Sequence, residues 1–389
     1  MKKKIMVWMF CLIFIGLNAQ QVIVLNSGSQ TLSKLDLQSQ IVNNSFANIG
    51  LYGNQVCFTD NELWVVNSGD NNVQKIDEDT GNVLKTIQLD SSVNPWNLIK
   101  KDNYLYISGL MSSSIYRVNT MNDEISSLYS GTSPEGMIIV GNELFVANTG
   151  FQYPDYLQGK ISVINLDTFT KTTDINVSTN PQAMILGSDG NIHVMCTGNY
   201  SAETGKIEVI NPNTKEISQT LSIGGYPNSI IESPDHKVYL ADGMGAGFFV
   251  YDSVTKDIIY SSTNPYLPGG SKIIFDNNKK LVLKTGNWVS NSHLEYLNTD
   301  DSLLHDFSLG IGAIDLTLLS NPTATIDVSI IKPIFIETYP NPFKSSIRIK
   351  TSGNSIKDIS IYNLKGEKVK NLDNEEWDGR DHKNNICAN

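Results

Sequence analysis

Seven times between Gln21 and Thr299 the chain repeats one pattern about 40 to 48 residues long, a period that belongs to stacked or ring-closed units. Each copy opens on an alternating apolar run that ends in a turn: VIVLNSG from Val22, LWVVNSG from Leu63, LYISG from Leu105, LFVANTG from Leu144, HVMCTG from His193, VYLADG from Val238 and VLKTG from Val282. A second alternating run follows and stops at Asp36, Asp77, Asn119, Asn165, Asn211, Asp252 or Asn298. A polar hairpin turn, a third strand, a Gly- or Pro-bearing loop and a fourth, more apolar strand such as 96–99 or 229–231 complete the unit.

Four strands per unit is one blade of a β-propeller. A single such sheet cannot bury both faces, so the units must stack, and seven of them close a ring without leaving a long exposed edge. The predicted fold is therefore all-β, with a seven-bladed propeller over residues 21–321. The first unit lacks an inner strand before Val22, while the last supplies one with nothing after it, 313–319. That segment is expected to pair beside 22–25 and fasten the ring.

Both ends depart from the repeat. Lys2, Lys3 and Lys4 precede an apolar run from Ile5 to Leu17 and then Asn18-Ala19-Gln20, the pattern of a signal peptide over residues 1–20. The run is about 13 residues, short of a spanning helix, so no transmembrane segment is expected after cleavage. After Pro322 the period stops, and residues 322–337 read as a linker. Residues 338–389 form a further unit with YPNPF from Tyr339, IYNLKGEKV from Ile361 and WDGRD from Trp377.

The blade pattern is VxVxNxG, then xVxxID, then xTIxxGxxPxxIxxSPDG, best kept around Val65–Gly69, Asn94–Trp96, Val146–Gly150, Asn180-Pro181 and Gly224–Ser229. It resembles the YVTN family of propellers, within the wider NHL-like and lactonase-like group. The tail resembles the FlgD-like immunoglobulin-type domain and the type A sorting domain of the type IX secretion system. That likeness implies a small C-terminal β-sandwich, a dialogue with the secretion machinery, and a secreted, extracellular or outer-surface location. The family runs on into a last strand where this chain stops at Asn389, so the sandwich is expected to be incomplete.

No local motif of catalysis is present: GxSxG, HExxH and EF-hand spacing are all missing. Asp77/Asp79, Asp300/Asp301 and Glu375/Glu376 sit in polar turns, where carboxylates serve solvation and turn formation. The five histidines are scattered through different repeats and the tail, and Cys57, Cys196 and Cys387 lack CxxC spacing, so neither a zinc site nor a disulfide framework is legible. Gly243–Gly247 has no following helix and reads as a wide turn. The formal charge of −11 deepens once the leader lysines are removed, which makes nucleic acid and anionic membrane poor partners.

What remains is geometry. Loops leading into the inner strands gather around one mouth of the channel, the usual place for a ligand. Blade position then names Asn54, Trp96, Asn97, Glu135, Gln182, Asn228, Asp242 and Asp315 as candidate ligand contacts, with Asn26, Asn67 and Asn148 across from them. Two longer loops carry Phe151, Tyr153, Tyr156 and Tyr200 and are expected to project side by side as a recognition surface. This set suits a glycan, peptide or protein partner and requires no cofactor. The alternatives are a structural module of a larger surface protein and a lactonase- or lyase-like enzyme. The propeller resemblance implies a divalent metal in the channel for the enzyme, and blade position would assign it Glu135, Asn228, Asp242 and Asp315.

Overall fold

The computed structural model describes residues 20–319 continuously and, beyond them, the strands Ile336–Tyr339, Ile347–Thr351, Ile359–Tyr362, Lys368–Leu372 and Glu376–Trp377 together with Arg380. Residues 1–19 of the leader expected over 1–20, almost all of the expected linker and Cys387 lie outside the described residues. Among the described residues every regular element is a strand, and no helix is long and apolar enough to cross a membrane. The chain divides between Thr325 and Ile326 into two units.

The first unit is a seven-bladed propeller of four-stranded antiparallel sheets. From the channel outward, blade 2 is Gly53–Thr59, Glu62–Asn67, Asn72–Ile76 and Val83–Gln88. The other blades follow that plan, with inner strands Pro95–Lys101, Pro134–Val140, Pro181–Leu186, Pro227–Glu232 and Lys272–Asp276 in blades 3 to 7. Sequence unit and sheet are therefore one strand out of phase: the fourth strand of each repeat is the inner strand of the next blade. Blade 1 takes its inner strand from the end of the propeller. Ala313–Leu318 pairs antiparallel with Gln21–Asn26, Val22 opposite Leu318 and Leu25 opposite Asp315, which is the expected closure.

The recurrent Asp or Asn at the end of the third strand caps the outer hairpin in blades 1 to 6. Asp77 Oδ1 accepts the Thr80 N–H at 2.7 Å, and Asp252 Oδ1 accepts those of Val254 and Thr255 at 2.9 and 2.8 Å. Asp36, Asn165 and Asn211 make the same bond to the residue three further on, the Asx turn that short polar side chains favour. The apolar faces meet between blades, and each of the seven core clusters is shared by two neighbours. One joins Trp64 and Val66 of blade 2 to Leu105 and Ile107 of blade 3, and another joins Val22 and Val24 to Leu281 and Leu294 across the closure. A fully buried side chain of this kind contributes roughly 1.5–3 kcal/mol. Because the clusters lie between sheets, no blade holds its core alone.

The second unit contains two antiparallel sheets among its described residues: Ile336–Tyr339, Ile347–Thr351 and Glu376–Trp377 in one, Ile359–Tyr362 and Lys368–Leu372 in the other.

Candidate functional site

Every inner strand is entered from the outer strand of the preceding blade, so all seven run the same way and start at one mouth of the channel. Antiparallel pairing brings the second strand back to that mouth, and the loops from second to third strand open there as well. Asn54, Trp96, Glu135, Gln182 and Asn228 are each the second residue of an inner strand, and Asn97 and Asp315 each the third. Asp242 ends the second strand of blade 6, at the same mouth. Their side chains nonetheless divide into two groups.

One group is used up within the fold. Asp315 is 4% exposed; its Oδ2 accepts the Val56 N–H at 2.9 Å and its Oδ1 is ion-paired with Lys272. Asp242, 5% exposed, accepts the Tyr226 N–H at 3.2 Å and the Ala246 N–H at 3.0 Å, pinning the glycine-rich turn after it. Asn26, Asn67 and Asn148 are likewise buried, their amide nitrogens donating to Ser33, Asn72 and Ser162 on the next strand of the same blade, while the side-chain oxygens of Asn26 and Asn67 are left without a hydrogen-bond partner among the described residues. Asn54 Nδ2 donates to the Pro95 carbonyl at 3.3 Å; at Asn97 it is the backbone N–H that is held, by Ser108 Oγ at 3.0 Å, and not the side chain. The chain also enlists Gln55, whose side-chain oxygen accepts the Leu98 N–H, and Lys272, neither of which the repeat pattern singles out.

The second group faces the mouth. Trp96 is 37% exposed and Asn228 is exposed. In blade 4 the long loop forms a small hairpin in which Phe151 pairs with Tyr156, ring centroids 5.2 Å apart, while Tyr153 at its tip is 87% exposed. In blade 5 Tyr200 stands 5.3 Å from the ring of Tyr226, which precedes the inner strand of blade 6 and donates its hydroxyl to the Ser201 carbonyl at 3.0 Å. Tyr226 escapes the sequence reading because it lies one residue before Pro227, outside the blade position used to choose candidates.

Glu135, partly exposed, is within electrostatic reach of Tyr156 and Tyr200. Its neighbour Gly136 backs onto blade 5 so closely that a Cβ there would stand 2.5 Å from the Gln182 carbonyl oxygen. A bulge between Pro134 and Met137 turns the strand at this point. The Glu135 carboxyl has no hydrogen-bond donor or ion-pair partner among the described residues, and loss of water around it pushes its pKa up to about 8. Burial raises the Tyr156 phenol, helped by the nearby Tyr200 and Glu135. It raises Tyr200 too; the Gln182 amide at its hydroxyl works in the opposite sense and the Glu135 charge adds to the rise. Tyr156 and Tyr200 are thus within electrostatic reach of each other and of Glu135, and Gln182 adjoins Tyr200. Gln182 is steadied from behind by Thr197, whose hydroxyl donates to its Oε1 at 2.9 Å and lies 2.7 Å from the Pro227 carbonyl.

No three His, Cys, Asp or Glu side chains gather as a metal-ligand set among the described residues, so Glu135, Asp242 and Asp315 do not form one. Cys57 and Cys196 are free thiols, Cys57 pushed up to about 12 by burial. At the opposite mouth, the ends of the inner strands enclose a pocket of about 490 Å³ walled by Phe58, Ile231, Ile274, Phe275, Leu316 and Leu318.

Residues 337–386 match the family of secretion system C-terminal sorting domains. That match points to export, to an interaction with the secretion machinery, and to the cell surface or extracellular space. No curated protein sequence matches the chain. Among solved structures the chain is similar to a quinoprotein alcohol dehydrogenase-like protein from Bacteroides thetaiotaomicron, at 13% identity and a TM-score of 0.58, over 78% of this chain and 79% of that one. It is similar to a putative 6-phosphogluconolactonase from Bacteroides fragilis at 14% identity and a TM-score of 0.58, over 77% and 98%. A third likeness is to virginiamycin B lyase from Staphylococcus aureus, at 14% identity and a TM-score of 0.53, over 67% and 85%. At such identities the likeness is one of fold.

Proposed function

We propose that this is an exported binding protein whose propeller takes up a glycan, peptide or protein segment at the mouth where the inner strands begin. One observation carries the reading: two aromatic pairs, Phe151 with Tyr156 and Tyr200 with Tyr226, stand on the loops of adjoining blades at this mouth, with Glu135 within electrostatic reach of Tyr156 and Tyr200. Large rings exposed on loops over a rigid scaffold offer apolar contact area at little entropic cost, and the amide and carboxyl beneath supply directional contacts. Trp96 on blade 3 extends the aromatic surface along the rim. Asp242 and Asp315, by contrast, serve the fold, and among the described residues no three His, Cys, Asp or Glu side chains gather as a metal-ligand set.

The test is to screen the full-length chain on glycan and peptide arrays and to repeat each positive with Tyr200→Ala and Trp96→Ala. Ligands captured through this mouth are expected to weaken at least ten-fold, a difference of about 1.4 kcal/mol, with the thermal midpoint unchanged. Ligands indifferent to both substitutions would overturn the assignment of the site.

A further inference from the structure

At the opposite mouth, hydrogen-bonding side chains converge on one edge of an apolar cavity. The inner strands of blades 1, 2, 6 and 7 end there, and residues near their ends enclose the pocket of about 490 Å³. Ile274 and Leu316 are buried, while Phe58, Ile231, Phe275 and Leu318 are half-buried and line the space. A cavity of this size, apolar over most of its wall and polar at one edge, suits a small molecule. The polar edge comes from turns of blades 5 and 6. His236 Nδ1 lies 2.8 Å from Ser188 Oγ. Glu232, the last residue of its inner strand, accepts the Ser188 N–H at 3.0 Å on one oxygen and the Ser253 hydroxyl on the other. In blades 2, 3, 4, 5 and 7 the turn from inner to second strand places Asn61, Asp102, Gly141, Gly190 and Asn277 in the left-handed region, which Gly, Asn and Asp enter most readily. Blade 6 places a histidine there, His236, at a φ of 63°. The ring is tethered through Nδ1, and its Nε2 has no hydrogen-bond partner among the described residues.

We propose that this pocket binds a neutral, largely apolar small molecule carrying one hydroxyl, with its body against Phe58, Ile231, Phe275 and Leu318 and its hydroxyl on His236. The charge of the edge selects that class. The Glu232 carboxylate, 3.8 Å from His236 Nδ1, opposes an anionic head. A cationic head finds both Glu232 oxygens already engaged by Ser188 and Ser253. A hydroxyl pairs with Nε2 in either tautomer, donating to the bare nitrogen or accepting from the protonated one. The site is separate from the aromatic loops of the other mouth and does not rest on their assignment.

The experiment titrates N-phenyl-1-naphthylamine, a neutral dye whose emission rises in apolar surroundings, into the full-length chain. The dye is then displaced with 4-butylphenol, butylbenzene or 4-butylbenzoate. Saturable uptake is expected in the parent and its loss in Thr317→Glu, which sets a carboxylate in the wall at a residue whose hydroxyl meets only the Leu318 carbonyl, at 3.5 Å. The phenol is expected to displace the dye roughly five-fold more tightly than butylbenzene, the increment of one hydrogen bond, and the benzoate more weakly than either. His236→Gly gives blade 6 the residue that blade 5 has at this turn. It is expected to erase the advantage of the phenol and to leave the thermal midpoint no lower. Uptake that never saturates or that persists in Thr317→Glu overturns the proposal. So does equal displacement by phenol and butylbenzene, a preference for the phenol that survives His236→Gly, or tighter displacement by the benzoate. Dye uptake abolished by Tyr200→Ala and Trp96→Ala would put the dye at the other mouth and overturn it as well, without touching the reading of that mouth.

Discussion

Leu25 on the first strand of the chain lies opposite Asp315 on the last strand of the propeller, and Asp315 reaches on to the Val56 N–H of the next blade and to Lys272 of the previous one. One carboxylate thus ties together three blades at the point where the ring closes. Replacing it by alanine leaves a buried N–H without an acceptor and Lys272 without its counterion.

Asp315→Ala is expected to cost about 2–4 kcal/mol, less than a fully buried pair because Lys272 is partly exposed. Urea unfolding of the full-length chain followed by tryptophan fluorescence checks this. A midpoint equal to the parent's would mean that strand pairing and apolar packing hold the closure without the ion pair.

Arg117 is held between two rings, its guanidinium 4.4 Å from the centroid of Phe169 and 5.1 Å from that of Tyr104. Phe169 belongs to blade 4 and the other two residues to blade 3, so the cation clamps neighbouring outer edges. Arg117→Ala is expected to destabilise by about 1–2 kcal/mol and Arg117→Lys by less, since a guanidinium stacks on rings better than an ammonium does. Thermal melts in low and high salt separate this from a surface ion pair, because the ring contacts should persist at high salt.

The propeller was legible because its rules are local and repeated. Period-2 runs such as Leu63–Val66 mark strands, Asp77 and Asp252 mark hairpins, and the unpaired strand at 313–319 had one place to go. Side-chain direction at the mouth was not legible, for the same reason that the mouth can be elaborated. Inner strands begin on a bulge, between Gly53 and Gln55, Pro95 and Leu98, Pro134 and Met137, Pro181 and Ala183, and Pro227 and Ser229. A bulge breaks the alternation that tells one face from the other. Blade position therefore gathered Asp315 and Glu135 as equivalents, while the structure buries the first in a network and leaves the second to the channel. Tyr226 was missed because it falls one residue before the blade position, and Lys272 because its partner Asp315 comes from another repeat.

His193 is fully buried between blades 5 and 6, Nδ1 2.7 Å from the Tyr251 hydroxyl and Nε2 3.1 Å from Asp189, which also pairs with Lys256 at 2.7 Å. Burial works against the Asp189 charge, but hydrogen bonds from His193, Asn191 and Lys256 outweigh it and hold its carboxyl far below the ordinary value of 3.8. A depressed carboxyl contributes stability that is complete above the unfolded value and is lost as pH falls through the folded one. Asp189→Asn is therefore expected to cost about 2–4 kcal/mol at pH 7, and the gap to the parent should close progressively below pH 4. Paired melts at pH 7, 4 and 2.5 check the sign, and a gap that stays constant with pH would assign the loss to shape rather than charge.

Glu135 predicts the reverse. Its carboxyl titrates near 4.5 in the unfolded chain and at about 8 in the folded one, so between those values folding retains a proton that the unfolded chain has released. Stability then falls as pH rises through that window, and the contribution is flat below 4.5 and above 8. Glutamine carries no such burden. Tyr156 and Tyr200 are within electrostatic reach of Glu135; both phenols are themselves raised, so they stay neutral across the window and leave the carboxyl as the titrating member. Glu135→Gln is expected to melt with the parent at pH 4 and above it at pH 9, by about 2–6 °C for a residue that still meets some solvent. The difference between the two proteins, taken across a pH series, isolates this one group from every other titration in the chain. A difference that stays at zero up to pH 9 would mean that water reaches the carboxyl freely.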